Sequence, residues 1–409
     1  MSTSELRASE RPVAPDPRLP RLPWPALLAM STGGFVTVMT ETLPAGVLPA
    51  MSADLGVGQS AAGQSVTLYA VGSIAAAIPL TAATGHLPRK PLLVVAVAGF
   101  AAANAITAVS PSYPLTMAAR FAAGLVAGLL WALLAGYARA IVAPEQRGRA
   151  MAIAMTGSTV ALSVGVPAGT LLSGLVGWRF TFGLMSVVAV ALTGWMLFAL
   201  PRLPGRTDRA RTPVRRVLRM PGVAVVLGVT ATFVLAHNIL YTYVAALLEP
   251  LGLDGRTDTV LLVIGLSSLV SILGTGVLID RYLRPLTIAS CVLVAVATVV
   301  LATALLGSTG RLAYAAAAIW GLGFGGAATL LQTAVADAGG PAGDIAQSLL
   351  VTCWNLGIAA AGLAGGLLLD HAGPTALPWS ALVLLAAALA ITLGGRRHGF
   401  PGGGDRSSG

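Results

Sequence analysis

The sequence predicts an all-α membrane protein in which twelve transmembrane helices form two pseudo-symmetric six-helix bundles. Three observations predict it. Of 409 residues, 56% are hydrophobic and only 10% charged, with a mean hydropathy of +0.83, too little charge to cover a water-exposed surface. Apolar runs of roughly 18–28 residues recur twelve times, each long enough for a ~30 Å hydrocarbon core. Segments of the two halves match at a constant offset, the signature of a duplicated bundle.

The runs fall near 24–50, 60–84, 92–109, 115–142, 150–174, 180–200, 221–248, 259–279, 285–306, 311–335, 345–369 and 377–394. Residues 1–23, rich in Pro and Arg, read as a disordered cytoplasmic tail. The run that follows is too long for the apolar core of a cleaved leader, so it reads as an uncleaved first span. Pro201–Gly222 is the longest polar stretch between spans and divides them six and six. The expected units are therefore a bundle over 24–200, a cytoplasmic linker over 201–220, a bundle over 221–394 and a cytoplasmic tail over 395–409. Alternate loops carry 21 of the 25 basic residues, and the opposite loops only Arg179, Arg256 and Arg311. The positive-inside rule then places both termini in the cytoplasm of a bacterial cell. The basic balance is topology, not a nucleic-acid surface. Cys291 and Cys353 lie in apolar runs and read as core residues, not as a disulfide or metal site.

The repeat shows at two places at one offset, and the loops after spans 2 and 8, "GHLPRKP" (Gly85–Pro91) and "GVLIDRYLRP" (Gly276–Pro285), add a third match at 191, a six-residue shift absorbed in neighbouring loops. "GLVAG" in span 4 (Gly124, Gly128) matches "GLGFG" in span 10 (Gly321, Gly325) at an offset of 197. "GVPAG" in span 5 (Gly165, Gly169) matches "GLAGG" in span 11 at the same offset. Glycines four residues apart let helix backbones approach closely, so these are expected packing positions. Pro167 removes one helical hydrogen bond and should bend span 5.

Over essentially the whole chain these residues resemble the major facilitator superfamily, and within it the bacterial drug, sugar and nucleoside efflux branch. "GVLIDRYLRP" (Gly276–Pro285) is similar to the superfamily's cytoplasmic loop signature, and "RFAAGLVAG" to its span-4 arginine motif. "GVPAGTLLSGLVGWRFTF" resembles the span-5 motif of exporters; "NLGIAAAGLAGGLLLDHAG" and "TETLPAGVLPAMSADLGV" resemble the efflux branch. The first-half loop departs from the signature, with Pro88 before Arg89 and Lys90 where the family has an Asp. The resemblance implies alternating access, with a latch resting on Asp280, Arg281, Arg284 and Arg89. An ordinary solvated pair at Asp280–Arg281 is the other reading.

The chemistry concentrates on the few polar groups inside spans, where an ionisable side chain is costly and faces a cavity or a partner. Glu41 in "VTVMTETLPAGVLPAM" is the charge of span 1, Arg120 that of span 4. Both fall in the outer half of the membrane, which makes Glu41 the candidate proton carrier and Arg120 its partner. At offset 197 they map onto Asn238 and Ala317, so the second half keeps the scaffold without the charges. His237 either titrates or is a neutral histidine bonded to a main-chain carbonyl. Trp131, His237, Asn238, Tyr241, Gln332 and Asn355 suit a cavity for a mid-sized, partly apolar molecule; interface belts and packing are the alternative for each aromatic.

The expected function is proton-coupled secondary active efflux of drugs, antibiotics or metabolites. A sugar or nucleoside exporter, and an importer or uniporter on the same fold, are the alternatives. The expected partners are the lipid bilayer, a small-molecule substrate and protons. The energy source is the proton gradient without a cofactor or metal, and the protein is expected to work as a monomer. No nucleophile–His–acid arrangement or phosphate-binding loop points to an enzyme.

Overall fold

The computed structural model describes residues 22–77, 84, 87–143, 146–203, 214–307, 309–395 and 399–400. The side chain of Asp280 lies outside the described set. Among the described residues all regular structure is helical. The spanning helices are α1 (Trp24–Gly46), α2 (Gln59–Ala77), α3 (Arg89–Val109), α4 (Tyr113–Ala140), α5 (Arg149–Val176) and α6 (Trp178–Ala199). The second half supplies α7 (Pro221–Thr242), α8 (Thr257–Ile279), α9 (Arg281–Gly307), α10 (Gly310–Gly339), α11 (Ile345–Ala372) and α12 (Ala376–Gly394). Eleven are long and apolar enough to cross a membrane among the described residues. The twelfth, α2, is described through Ala77 and is punctuated by Gln59, Ser60, Gln64, Ser65, Thr67 and Ser73.

Several helices are interrupted, and the sequence supplies the reason in two of them. Pro44 has no N–H to donate, and α1 breaks at Val47 (φ −118°, ψ 15°) before continuing as Leu48–Leu55. α7 breaks at the matching place, Tyr243 (φ −108°, ψ 23°), and continues as Val244–Leu248 without any proline there. In α5 the bend expected from Pro167 takes the form of a π turn over Ala161–Gly165, immediately before the proline. The reversal between α8 and α9 is a kink at Tyr282, with Pro285 one turn later.

Glycines bring helices into contact at the backbone. A Cβ at Gly124 or Gly128 of α4 would strike the carbonyl oxygens of Tyr69 or Ser73 in α2, and one at Gly72 of α2 would strike Phe121 O in α4. The second half repeats this: Gly321 and Gly325 of α10 lie against Ile264 O and Ser268 O of α8. Without a hydrophobic force between helices in lipid, such contact surface is what holds them. Gly165 and Gly169 of α5 perform the same service against Phe35, Met39 and Leu43 of α1.

The two bundles meet along α2 with α11 and α5 with α8. Close approaches across this seam include Gly63 with Tyr243, Gly362 with Thr67, Gly366 with Ser60 and Gly46 with Leu261. Hydrogen bonds across it run from Gln59 Nε2 to Glu249 (3.2 Å) and from Gln64 Nε2 to Gly362 O (3.1 Å). All of these lie in the half of the molecule remote from Leu22 and Phe400, so the bundles are pressed together at that end. Cys291 is buried, Cys353 half-buried, and both are free thiols.

Gly124→Ala should lower the unfolding midpoint by several degrees, since overpacking at a tight contact costs about 1–3 kcal/mol. Gly136→Ala, where nothing lies within 4 Å, should leave it unchanged. Thermal unfolding of purified protein in detergent checks both; equal midpoints for the two variants would contradict glycine-mediated packing of α2 on α4.

Candidate functional site

The site begins with a proline. In a helix the Thr40 carbonyl would accept from the N–H of residue 44, but residue 44 is proline and the acceptor is left vacant. Arg120 of α4 fills the vacancy: its Nη1 donates to Thr40 O at 2.6 Å. Nη2 donates to the main-chain carbonyl of Glu41 at 3.4 Å, and Nε to Ser65 O of α2 at 3.3 Å. The guanidinium also lies 5.0 Å from the Tyr69 ring centroid and 5.8 Å from that of Phe182, positions that favour a cation. Tyr69 is itself anchored through Oη to Thr37 O (3.1 Å), and Asn104 Nδ2 donates to Thr40 Oγ1 (3.0 Å). Arg120 is fully buried and ranks among the largest such side chains.

Glu41 sits beside this arginine but is not clamped by it. The hydrogen bonds of Arg120 go to neutral carbonyl oxygens, and the Glu41 side chain stays partly exposed. The two expected partners are thus adjacent, joined by a main-chain hydrogen bond and not by a carboxylate–guanidinium fork. A carboxylate left outside such a fork can take up and release a proton without breaking it.

The second half builds a neutral counterpart on the matching helix pair, α7 with α10. At offset 197 Thr40 corresponds to His237. His237 is 5% exposed, and its Nδ1 accepts from Trp320 Nε1 at 3.0 Å. The carbonyl partner expected for this histidine is therefore replaced by an indole. An accepting Nδ1 leaves Nε2 to carry the proton, which is the neutral ring. Phe324 stacks on His237 at 3.4 Å between centroids, Tyr241 at 5.3 Å, and Phe233 stacks on Phe324 at 6.2 Å. Trp354 of α11 closes the cluster 6.2 Å from Phe324.

The other expected residues are dispersed. Asn238 and Asn355 are buried, each amide donating to its own helix, at Val234 O and Val351 O, both 2.9 Å. Trp131 is half-buried against Gly34 of α1. Gln332 is exposed, its carbonyl accepting from Gln347 Nε2 at 2.7 Å, and it stays outside the aromatic cluster. Arg89 opens α3 with its N–H on Leu203 O (3.0 Å), Arg281 lies 5.7 Å from the Tyr282 centroid, and Arg284 Nη2 reaches Leu393 O at 3.4 Å. Sequence reading passed over Phe233, Trp320 and Phe324, although Phe233, His237 and Tyr241 recur at four-residue spacing on one helix face. It also passed over Tyr69 and Asn104, which had no signal beyond polarity. Among the described residues no group of His, Cys, Asp and Glu could hold a metal ion.

Comparison with known proteins agrees with this architecture. The family model described as Major Facilitator Superfamily matches residues 30–343. A chloramphenicol efflux pump of Mycobacterium tuberculosis is 30% identical over 391 residues, covering 91% of this chain and 93% of that protein. The purine ribonucleoside efflux pump NepI of Escherichia coli is 28% identical over 379 residues, covering 90% and 93%. Among solved structures, a D-xylose–proton symporter superposes with a TM-score of 0.75 at 14% identity, over 94% of this chain and 99% of that one.

Arg120→Lys keeps the charge but loses the planar fork whose three separate nitrogens reach carbonyls on two helices. It should destabilise the protein by about 1–3 kcal/mol, the cost of leaving buried acceptors unmet, read as a lowered unfolding midpoint in detergent. An unchanged midpoint would show that charge alone, not the planar fork, holds α1 and α2 to α4.

Proposed function

Because the chain belongs to the Major Facilitator Superfamily, we propose that this multi-pass membrane transporter exports small molecules in exchange for protons. The observation that carries the reading is the unclamped Glu41 carboxylate beside an arginine bound to main-chain carbonyls. A proton antiporter needs one group that alternates between protonated and ionised forms as access alternates. Glu41 has the partial exposure for that role, and Arg120 holds a fixed positive charge next to it. Substrate and proton then compete for one pocket, which gives exchange without another energy source.

Export rather than import is supported by the relatives, which are named efflux pumps for chloramphenicol and for purine ribonucleosides. The arrangement of basic residues supports termini in the cytoplasm of a bacterial cell membrane. On that orientation the tightly packed end of the seam faces outward. The second-half wall of His237, Tyr241, Phe324 and Trp354 carries no formal charge, and it suits the apolar part of a drug or metabolite. Asp280, with Arg281 and Arg284 at the α8–α9 reversal, is the proposed latch at the cytoplasmic end.

Two measurements test the reading. In proteoliposomes, Glu41→Gln should abolish uphill transport driven by a pH gradient while leaving equilibrative substrate exchange measurable. If the variant still concentrates substrate with normal pH dependence, the carboxylate is structural and His237 is the next candidate. Reporter fusions after Arg219 and after Arg397 should both report cytoplasmic; an external reading after Arg397 would invert or break the proposed topology.

A further inference from the structure

At the remote end of the seam between the bundles, one aromatic ring sits in a slot made of glycines. Tyr243 is fully buried and sits at the break in α7. Its ring is flanked by Gly63 of α2, in the other bundle, and by Gly365 and Gly366 of α11. The fit leaves no room for a side chain: a Cβ at Gly63 would lie 2.5 Å from Tyr243 Oη and 2.6 Å from Cε1. One at Gly365 would lie 2.7 Å from Cε2, and one at Gly366 2.8 Å from Oη.

The phenol tip meets a shared acceptor. Tyr243 Oη donates to Gly362 O at 2.6 Å, and Gln64 Nε2, from α2 across the seam, donates to the same oxygen at 3.1 Å. This carbonyl, inside the α11 helix, thus takes an additional side-chain donor from each bundle. Next to it, a Cβ on Gly362 itself would collide with Thr67 of α2. Three helices from two bundles are therefore tied at one main-chain oxygen.

We propose that Tyr243 is the bolt of the remote gate, and that withdrawal of its ring from the Gly63–Gly365–Gly366 slot is what lets this end of the seam open. Its position supplies the means. Tyr243 already lies outside helical φ/ψ between two helical pieces, Pro221–Thr242 and Val244–Leu248. A dihedral change at that junction re-aims the ring while the helical hydrogen bonds on both sides persist. Small slot residues serve both states: they admit the ring when the gate is shut, and leave no bulk to obstruct it as it departs. The inference concerns the gate alone and holds whatever the coupling ion or substrate.

The test uses the full-length chain with Cys291 and Cys353 replaced by serine and spin labels at Ala53→Cys and Asp254→Cys. Both positions are exposed at the remote end, one in each bundle. Without substrate, the pair should give mainly the short, closed-gate distance. Gly63→Leu fills the slot and should move most of the population to longer distances. Adding Tyr243→Ala to Gly63→Leu exchanges ring volume for leucine volume, and should move most of the population back toward the closed distance, short of the parent only by the lost hydrogen bond, a rescue that misfolding would not show. Tyr243→Phe keeps the ring and loses the hydrogen bond, and should raise the open-to-closed ratio roughly threefold to tenfold. Unchanged distances in both Gly63→Leu and Tyr243→Phe, or opening by Gly63→Leu that Tyr243→Ala does not reverse, would overturn the proposal.

Discussion

Inside hydrocarbon, every main-chain carbonyl and N–H has to be satisfied by the protein itself, since an unmet group costs several kcal/mol. Two prolines put that constraint under load in this chain. Pro44 strips the Thr40 carbonyl of its helical donor, and the answer is a buried arginine from another helix. Pro167 strips Ser163 in the same way, and there the main chain responds with a π turn; Gly265, from the opposite bundle, packs directly against that stretch at Ser163. One proline thus fixes the place of the buried cation, and the other a backbone contact across the seam. Arg120 is thus the neighbour of Glu41 without being bonded to its carboxylate. Its first task is to satisfy main chain, and that is why the neighbouring carboxylate remains unclamped.

Duplication makes the two bundles comparable position by position, and the comparison shows where they parted. The α2–α4 contact through Gly124 and Gly128 is repeated by α8–α10 through Gly321 and Gly325, down to the carbonyls each glycine meets. The break in α1 at Val47 is repeated in α7 at Tyr243. Scaffold is retained; what fills it is not. Where the first half joins α1 to α4 by a cation on carbonyls, the second joins α7 to α10 by an indole on an imidazole, within a stack of aromatic rings. The buried cation lies in one bundle, and the matching place in the other is filled by neutral rings.

Much of this was legible in the residues. Span number, the two-bundle plan and the glycine contacts follow from apolar run length and a constant offset, because lipid permits few alternatives. The candidate residues were legible only as chemistry in an apolar context. Glu41 and Arg120 stand out because charge is rare there, but that the arginine would bind main chain depended on reading Pro44 as a missing donor four residues after Thr40. His237 was seen and its partner was not, because Trp320 lies 83 residues away and no local pattern ties it to α7. Gln332 was chosen for polarity in a span, yet polarity does not tell which face of α10 it occupies, and it lies exposed. Nothing in the sequence singles out Tyr243. Its slot is made of glycines from two helices, and glycine leaves no signature of what it makes room for.

Helix α2 connects the site with the gate. On one face Ser65 offers its carbonyl to Arg120, Tyr69 lies under the guanidinium, and Ser73 meets Gly128 of α4. On the other, Ser60, Gly63, Gln64 and Thr67 meet Tyr243 and the glycines of α11. The two sets interleave within about four turns, so rotation or translation of this helix cannot change one without the other. A change in charge at Glu41 acts on the guanidinium beside it, and the guanidinium is bonded to α2. The proposed proton site and the proposed bolt are therefore linked through one element, since Arg120 and the Tyr243 ring bear on opposite faces of α2. The difference between their states has only to be large enough to seat or unseat a single ring.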